Sequence, residues 1–433
     1  MVNNTLERLA ARAKSGKPYV VVQLKEALAA HPVHEAYDVY RGLMGLKAPE
    51  TLRQTRAISL QAVARARAKF YFETEGGGET YGNRPSKVIG EGNQRDLLCH
   101  SRTDFVACFE DAEVASLSGA IAFGGQLLFD FEDWEFEQID DRLELDSRVF
   151  RSSGREVWRM DPLTAGSEID RAFMLTGCHA RAFGHWMWEY LPRYVAALIA
   201  GVMPPMPVLI DCGMPPQHRE ALETLLPAGC EAIEVPLQTL VRVKELWCAP
   251  APIYMPLYEQ LNEKYRWDVF CSPPWRFAKI MARMAAAVPP GRQNIPGRRL
   301  FLARPESNHR KLVNSSQIEA IARGRGFEIV YPERMPFAKQ AEMLAEANAV
   351  VGPEGSAMFL AYYMRPGTRL AILSHPDIEG LATFTAITEA AGIDTTVVTG
   401  PFHEKKADWP QFSDYTIDEG GFSRFLDGWI AGR

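Results

Sequence analysis

Residues suited to acid–base chemistry stand together in the stretch GHWMWEYLPRY (184–194). His185 and Glu189 are four positions apart, so on a helix they share a face, and Arg193 lies one turn further. A histidine beside a carboxylate could act as a general base that removes the proton of a hydroxyl nucleophile. A buried His–Glu–Arg hydrogen-bond network that ties a helix to its core would show the same spacing, so the residues alone leave both interpretations open.

A second stretch, GPEGS (352–356), has the composition of a turn that could hold a phosphate. The apolar residues AVV precede it and a run of helix formers follows it, which predicts a strand, a tight turn and a helix that begins near Gly355 and Ser356. The first N–H groups of a helix have no partner within the helix, and its dipole favours an anion. An ordinary connection between a strand and a helix would look the same.

Cationic side chains are expected at the edge of the sheet where this turn lies. Arg304, Arg310 and Lys311 follow the predicted strand RRLFLA, and Glu333 follows the predicted strand FEIVY. Arginine and free N–H groups both bind phosphoryl oxygens, so the shared edge favours a phosphate site over a solvated basic loop. The patterns G-x-G-x-x-G and G-x-x-x-x-G-K-[ST] are absent, which argues against a standard dinucleotide enzyme or a P-loop NTPase.

Other candidate sites have less support in the sequence. There is no Asp-x-Asp pair to hold a metal–diphosphate, and no G-x-S-x-G nucleophile motif. Asp130, Glu132 and Asp133 are predicted to form a solvated turn. Trp186 and Trp188 are more typical of a core than of a stacking site.

Composition excludes several classes of protein. The chain has 433 residues, 47% of them hydrophobic, with 48 basic against 54 acidic residues, so we expect more than one domain and no general nucleic-acid binding. The seven cysteines show no C-x-x-C spacing, which argues against a disulfide framework or a structural zinc site and fits a reducing cytoplasm. The polar start lacks the apolar segment of a signal peptide, and no apolar run reaches the length of about 18 residues that a membrane span needs.

The elements that must position these residues follow from periodicity. Residues 1–72 are predicted to be a helical extension, with 34–47 and 51–72 paired as a helical hairpin. The glycine-rich stretch 73–86 is predicted to be a hinge, and the alternation that follows predicts antiparallel hairpins up to about residue 160. Pro192 predicts either a kink or a new helix start after Glu189.

The second half of the chain has the more regular pattern. A linker rich in proline and glycine is predicted at 285–299. Beyond it, five strands alternate with four helices in about 100 residues, which implies a parallel, doubly wound sheet. We therefore predict an α/β protein with domains at 87–285 and 298–415, a closing helix at 416–433, and a ligand cleft between the two domains.

Taken together, these motifs resemble glycosyltransferase family 61. GHWMWEYLPR is similar to the family's G-H-W-x-x-[DE]-x-[LF]-P-R stretch, and LARPESNHRKLVN to its arginine-rich loop. GFEIVYPERMPFAKQAEMLAEANAVVGPEGSAM and MRPGTRLAIL resemble the blocks that follow, and FEDAEVASLSGAIAFGGQLLFD resembles the hairpins upstream. The resemblance covers roughly residues 100–420 in the right order, and residues 1–70 lie outside it.

The resemblance implies a GT-B-like inverting glycosyltransferase with two Rossmann-like domains that face a cleft. The donor would be a nucleotide sugar, with UDP as the expected nucleotide, and neither a cofactor nor an essential metal is expected. The acceptor would be a hydroxyl of a glycan or a lipid-linked glycan in the synthesis of a surface polysaccharide such as a capsule. The expected location is the cytoplasm or the inner face of the membrane, with residues 1–72 available for peripheral membrane contact or homo-oligomer contact.

The resemblance also assigns roles to particular residues. It places His185 and Glu189 at acceptor activation, with Glu189 as the first choice for the base and His185 orienting it; the reverse assignment stays open. Trp186 and Arg193 are expected on the acceptor side. The predicted donor-binding residues are Arg304, Arg310, Lys311, Glu333, Glu354, Gly355 and Ser356.

Glu354 departs from the histidine found in many members of the family. A carboxylate beside a diphosphate is repulsive unless it points away, so we expect Glu354 to accept hydrogen bonds from ribose or sugar hydroxyls.

Two readings from other classes remain. The chain could be a non-catalytic scaffold subunit that binds a nucleotide sugar or a glycan. Alternatively, the N-terminal helices could make it a dimerisation adaptor or a membrane-surface adaptor.

Overall fold

Strands and helices alternate through most of the chain in the computed structural model. It describes residues 2–14, 18–46, 51–85, 87–92, 97–133, 143–161, 165–253, 271–288, 297–304, 310–406 and 412–431. The predicted α/β class is confirmed. The chain divides into two compact units, each made of separate segments: unit 1 comprises Met1–Gly76, Thr103–Pro215 and Leu226–Tyr265, and unit 2 comprises Gly77–Arg102, Pro216–Leu225 and Arg266–Arg433.

The strands, in chain order, are β1 (Thr51–Ser59), β2 (Phe70–Glu75), β3 (Thr80–Asn83), β4 (Val88–Ile89), β5 (Leu97–His100), β6 (Asp104–Ala115), β7 (Ile121–Phe123), β8 (Gln126–Phe129), β9 (Val149–Ser153), β10 (Glu156–Asp161), β11 (Ala165–Met174), β12 (Val208–Asp211), β13 (Ala232–Val235), β14 (Leu240–Cys248), β15 (Arg299–Leu302), β16 (Phe327–Val330), β17 (Ala349–Pro353), β18 (Arg369–Ser374), β19 (Asp394–Thr399), β20 (Phe402–Glu404) and β21 (Asp414–Tyr415).

The α-helices are α1 (Val2–Lys14), α2 (Pro18–Ala27), α3 (Val33–Met44), α4 (Leu60–Arg67), α5 (Leu191–Ala200), α6 (Pro216–Glu223), α7 (Pro274–Ala287), α8 (Ser315–Arg323), α9 (Phe337–Glu346), α10 (Ala382–Ala390) and α11 (Glu419–Ile430). A short helical turn (Phe183–His185) and a π-helical turn (Trp186–Tyr190) lead into α5, and 3-10 helices occur at Leu143–Leu145, Pro332–Arg334, Ser356–Tyr363 and Glu379–Leu381. No helix in the described part of the chain is long and apolar enough to cross a bilayer.

Unit 1 is built on a mixed sheet with the order β13-β12-β11-β14-β6-β7-β8-β1-β10-β9, and β2 also pairs with β6. The hairpin predicted in the 87–160 region is present as β7 and β8. It turns at Gly124 and Gly125, whose φ angles of 56° and 80° suit glycine and the type I′ turns that connect twisted strands. A core cluster that includes Phe105, Phe109 and Leu246 lies against this sheet.

The prediction of a helix over 51–72 was wrong at both ends. Residues 51–59 form β1, whose first six residues pair antiparallel with β10 and whose last three residues pair in parallel with β8. Only α4 is helical in this stretch, and Ser59 caps it by accepting a hydrogen bond from Ala62 N at 3.2 Å. The apolar residues of 51–59 have helical spacing, but this local preference is weak. Pairing with the two strands β10 and β8 outweighs it and makes the segment a strand.

Helices α1 to α3 pack within unit 1. Tyr37 and Tyr40 contact Phe150, with ring centroids 5.2 Å and 5.5 Å away. The buried Lys25 side chain donates hydrogen bonds to the carbonyl oxygens of Glu144 and Val149, at 2.8 Å and 2.5 Å. The first helices therefore share a core with the sheet of unit 1.

Unit 2 contains a fully parallel sheet with the order β16-β15-β17-β18-β19-β4. All five strands predicted beyond residue 298 are present, and the closing helix is α11. One face of the sheet packs on α8 and α11 through residues such as Phe301, Ile318 and Phe422. The alternate residues, such as Leu300 and Val350, are equally buried, so both faces are covered, as is usual for a parallel sheet.

The order of the strands reverses around β15. The chain first places β16 on one side of β15 and then returns to place β17 on its other side. In open parallel sheets of this kind, ligands bind outside the carboxyl ends of the strands at the point of reversal. The carboxyl ends of β15 and β17 therefore mark the position where a ligand of unit 2 is expected.

Three predicted connecting segments are seen only in part. Residues 289–296 of the predicted linker and residues 305–309 of the arginine-rich loop lie outside the described residues. In the glycine-rich stretch 73–86, β2 ends and β3 begins, and the division between the two units falls between Gly76 and Gly77.

Candidate functional site

The carboxyl ends of three neighbouring parallel strands carry a cluster of charged side chains. Arg304 follows β15, Glu354 follows β17, and Ser374 is the last residue of β18. Arg310 reaches the same place from the loop beyond Arg304. We call these four residues the switch-point cluster. The structure thus brings together three residues that the sequence had placed at one sheet edge.

Hydrogen bonds connect the switch-point cluster around Glu354. Arg310 Nη1 donates to Glu354 Oε1 at 2.8 Å, and Ser374 Oγ donates to Glu354 Oε2 at 2.5 Å. Arg304 Nη1 donates to the main-chain oxygen of Glu354 at 3.0 Å and to that of Arg310 at 3.4 Å. The acid in the turn is therefore the counter-ion of Arg310, and Arg304 holds the backbone of both.

The charges in the switch-point cluster influence one another. Burial would raise the pKa of the Glu354 carboxyl, but Arg310, His375 and the hydrogen bonds from Ser374 and Arg310 outweigh it, and the pKa lies below its ordinary value. Burial and the nearby Arg310 lower the pKa of the Arg304 guanidinium. With two guanidinium groups and one carboxylate, the arginines and Glu354 carry a net positive charge, which favours an anionic ligand.

Glycine at position 355 makes room for one of these arginines. A Cβ atom there would lie 3.3 Å from Arg304 Nη1 and 3.4 Å from Arg304 Cζ, which is tighter than ordinary contact. Ser356 is exposed and begins the 3-10 helix Ser356–Tyr363, where the sequence had predicted an α-helix. The guanidinium of Arg304 therefore lies against the turn itself.

Two other predicted donor-side residues have contacts of their own. Lys311 is exposed, and its main-chain N–H donates to Asp414 Oδ1 at 2.9 Å. Glu333 is exposed in the 3-10 helix after β16, and its carboxylate lies 3.7 Å from the Arg334 guanidinium. Among the described residues, no hydrogen bond or ion pair joins either of them to the switch-point cluster.

The lowered pKa of Glu354 predicts how folding stability depends on pH. Because the folded-state pKa lies below the ordinary value of 4.5, the ionised carboxylate stabilises the folded protein at neutral pH. That stabilisation is lost as the pH falls through 4.5 toward the folded-state pKa. We expect Glu354→Gln to have a lower melting temperature than the wild type at pH 7, and the difference to shrink at pH 4.

Thermal unfolding of both proteins across this pH range measures the effect. Glu319→Gln is a suitable control, since burial raises the pKa of Glu319 and its removal should change stability in the opposite sense. A melting difference for Glu354→Gln that is the same at pH 7 and pH 4 would rule out this account of its pKa.

The pair His185 and Glu189 lies in unit 1 on an irregular helix. After Phe183–His185, the turn Trp186–Tyr190 is π-helical, and Leu191 N donates to Trp186 O five residues back. Pro192 is the second residue of α5, and His185, Tyr190 and Leu191 keep right-handed helical backbone angles, so the chain passes from the π-helical turn into α5 without leaving the helical conformation. π-Helical turns such as Trp186–Tyr190 are frequent at functional sites.

The two side chains of this pair are in direct contact. His185 Nδ1 lies 2.6 Å from Glu189 Oε2, and the side chains are 23% and 9% exposed, respectively. A proton on Nδ1 that is donated to a buried carboxylate leaves Nε2 as the acceptor atom of the ring. The arrangement matches that of a general base oriented by a buried acid.

The residues predicted on the acceptor side are core residues in this structure. Trp186 has no exposed surface, and its ring is parallel to that of Tyr190 with centroids 6.3 Å apart. Arg193 Nη2 donates to Asp130 Oδ2 at 2.8 Å, with both side chains about nine-tenths buried. As placed, neither side chain presents a free surface to an acceptor, because the apolar helix face that they occupy packs into unit 1.

The acidic stretch around Asp130 was also predicted incorrectly as a solvated turn. Asp130 binds Arg193, and the buried Glu132 accepts a hydrogen bond from Thr103 N at 2.6 Å. Asp133 is the exposed member and pairs with Arg155. Throughout the described residues, no group of three or more histidine, cysteine, aspartate or glutamate side chains is arranged to hold a metal ion.

Two residues that form or hold the turn beside His185 were missed by the sequence analysis. Asp211, the last residue of β12, is fully buried and accepts hydrogen bonds from Leu117 N at 2.5 Å and Gly177 N at 3.0 Å. Burial raises its pKa to about 7, although these hydrogen bonds lower it. The ring of His179 stacks on that of His185. The position of Asp211 at the end of the apolar strand VLID could have identified it as a candidate site residue. No spacing in the sequence indicated His179.

Comparison with known families bears on both groups of residues. Residues 183–371 match the family model described as Glycosyltransferase 61. The matched segment begins at the helical turn of His185 and ends within β18, so it includes Glu189, Arg304, Arg310 and Glu354. No curated protein matches the chain. The resemblance predicted from the motifs is therefore confirmed over residues 183–371, the segment of the chain that matches glycosyltransferase family 61.

Proposed function

We propose that the protein is an inverting glycosyltransferase that moves a sugar from a nucleotide sugar to a hydroxyl of a glycan or glycoconjugate. Glycosyl transfer in general follows from the family. The observation that carries the donor assignment is the meeting of Arg304 and Arg310 with the Gly355 turn at the switch point of a parallel sheet.

In this proposal the switch-point cluster binds the diphosphate of the donor. Arg304 lies against the turn at Gly355, and the N–H groups at the start of the 3-10 helix add donors for phosphoryl oxygens. Glu354 holds Arg310 in place and does not face the phosphates. Each of its carboxylate oxygens keeps a further lone pair, so an additional hydrogen bond from a ribose or sugar hydroxyl is compatible with the contacts observed.

The His185–Glu189 pair would activate the acceptor. The geometry supports the second of the two assignments left open by the sequence, with His185 as the base and Glu189 as its orienting partner, because Glu189 is the more buried and contacts Nδ1. His185 Nε2 would take the proton of the acceptor hydroxyl as its oxygen attacks the anomeric carbon.

In the same step the bond from the anomeric carbon to the donor phosphate breaks, and the nucleoside diphosphate leaves with its electron pair. Attack opposite to the leaving group inverts the configuration. We propose that Arg304 and Arg310 neutralise the charge that develops on the diphosphate, so that neither a metal nor a cofactor is needed.

The wider setting is part of the same proposal. A role in surface polysaccharide synthesis, a UDP-linked donor, and a location in the cytoplasm or at the inner face of the membrane rest on the family resemblance. The arrangement of the two units as a GT-B enzyme has the same basis.

A thermal-shift panel of nucleotides and nucleotide sugars tests the donor site. We expect a nucleoside diphosphate and its sugar conjugate to raise the melting temperature, and Arg304→Ala to weaken their binding by about 10- to 100-fold, since hydrogen bonds to charged groups contribute about 1.5–3 kcal/mol. Arg323→Ala, which removes an exposed arginine of α8 in the same unit, is the matched control. Equal affinity of Arg304→Ala and the wild type for the nucleotide would exclude the switch-point cluster as the phosphate site.

A further inference from the structure

Two histidine rings lie face to face beside the proposed base. The ring centroids of His179 and His185 are 4.5 Å apart, and the ring planes are inclined by only 18°. His179 is half-buried and precedes the segment 183–371 that matches the family model. It is also outside the helix of His185, so its position is set by a different part of the chain.

The turn that carries His179 is held at two points. Gly177 N donates to Asp211 Oδ2 at 3.0 Å, and His179 N donates to the Tyr190 hydroxyl at 3.4 Å. A Cβ atom on Gly177 would lie 2.2 Å from the oxygen of that hydroxyl, so glycine permits the close approach. The turn is therefore fixed between the end of β12 and the π-helical turn.

We propose that His179 is a positioning residue for His185. The hydrogen bond to Glu189 holds one atom of the His185 ring, but it does not stop the ring plane from tilting, and a tilt misaligns Nδ1–H with the carboxylate oxygen and weakens the bond. A flat ring packed against its face removes this freedom, so that Nε2 points in one direction. Proton transfer needs such alignment, because small misplacements of a catalytic group cost large factors in rate.

The stacked ring also has a role once His185 is protonated. The face of a neutral aromatic ring attracts a cation, so a neutral His179 would stabilise the imidazolium formed when His185 takes a proton. A phenylalanine at position 179 would supply the same flat face, whereas leucine fills similar space without one. The comparison of these two residues therefore isolates the stacking itself.

The test uses the full chain with ¹⁵N-labelled histidine and requires no sugar substrate. We expect the wild-type spectrum to show His185 as a single tautomer with its proton on Nδ1, assigned by the loss of its signals in His185→Gln. His179→Phe should keep this tautomer, and both His179→Leu and His179→Gln should give a mixture of tautomers or lose the Nδ1–H signal. His403→Leu, which removes an exposed histidine of unit 2, is the control and should leave the signal unchanged.

Kinetics give a second readout once a donor has been found by the thermal-shift panel. His179→Leu should lower kcat by roughly tenfold with an unchanged KM for the donor, and His179→Phe should recover most of the loss. In the Glu189→Ala background, where the ring has lost its other anchor, His179→Leu should cause no further loss. A merely structural role would make the two losses additive.

An unchanged His185 tautomer in a folded His179→Leu protein would overturn the inference, as would equal losses in His179→Phe and His179→Leu. If His179→Leu does not fold, the comparison of His179→Phe with His179→Gln decides by the same criterion. The inference about catalysis rests on the proposed function, but the tautomer measurement does not. Tautomer changes of the expected kind in a protein without transferase activity would therefore support the positioning role and reject the proposed function.

Discussion

His185→Gln is expected to lower the rate of glycosyl transfer by about 10²- to 10⁴-fold, the range that general base catalysis supplies, while nucleotide binding remains as in the wild type. In the proposed step, His185 Nε2 takes the proton of the sugar acceptor's hydroxyl. The side chain of glutamine is not basic enough to do so. Binding should be unaffected because the donor residues Arg304 and Arg310 belong to unit 2 and His185 to unit 1. The measurement is kcat for transfer together with the donor dissociation constant.

Glu189→Gln identifies which member of the pair is the base. If His185 is the base, the amide oxygen of glutamine can still accept the Nδ1–H bond at 2.6 Å, and the loss should be smaller than that of His185→Gln. If Glu189 is the base, its substitution should cause the larger loss. Glu168→Gln, an exposed carboxylate of unit 1, is the control for the loss of charge.

Near-wild-type transfer in both His185→Gln and Glu189→Gln would show that the base lies elsewhere. A wild-type protein that binds a nucleotide sugar but neither transfers the sugar nor slowly hydrolyses the donor would favour the non-catalytic scaffold. The sequence alone would suggest removal of residues 1–72 as a test of whether the chain is a dimerisation or membrane-surface adaptor. The structure makes that test unsuitable. That deletion would also remove β1 and α4, which belong to the sheet and core of unit 1.

Gly352→Ala is expected to destabilise the folded protein more than the addition of a methyl group at Gly355, the other glycine of the switch-point turn. An added Cβ would lie 2.7 Å from the main-chain oxygen of Leu302 and 2.8 Å from Met358 Cε. The methionine side chain can move, but the carbonyl belongs to β15, so β15 and β17 would have to separate. Overpacking of this kind typically costs about 1–3 kcal/mol, which corresponds to roughly 2–12 °C in melting temperature for a unit of this size.

Gly352→Ala should also weaken nucleotide binding, because Arg304 follows Leu302 by two residues and would move with it. Thermal unfolding and nucleotide titration of the same samples measure both effects. Gly428→Ala in α11 of the same unit is the control, since a Cβ there meets nothing within 4 Å and alanine favours a helix. A Gly352→Ala protein with wild-type melting temperature and affinity would contradict the close packing of the two strands.

The accuracy of the sequence-based expectations differs between the two units for a physical reason. Unit 2 alternates short apolar strands with amphipathic helices. In such a sheet, the helices that cover each strand are close to it in the sequence, so the local pattern records the packing. The five strands and the meeting of Arg304 with Glu354 were therefore predictable. Residues 51–59 were not, because the partners of β1 lie about 70 to 110 residues further along the chain.

The roles of individual side chains divide in the same way. The spacing of His185 and Glu189 was sufficient to place them on one face of a helix, and they lie 2.6 Å apart. Spacing could not show that Trp186 and Arg193 are buried, since burial depends on what packs against the helix. The stacking of His179 on His185 depends on the turn held by Asp211, which is 32 residues away in the sequence.

The sequence by itself determined the α/β class, the resemblance to glycosyltransferase family 61 and the two local groups of residues, because each depends on periodicity or on spacing over short stretches of the chain. Only the tertiary structure decided that Glu354 is the counter-ion of Arg310, that a Cβ at position 352 would collide with the backbone of β15, and that His179 stacks on His185. These features arise where distant segments meet. Their geometry is set by the packing of strands and turns on one another, which no local pattern records.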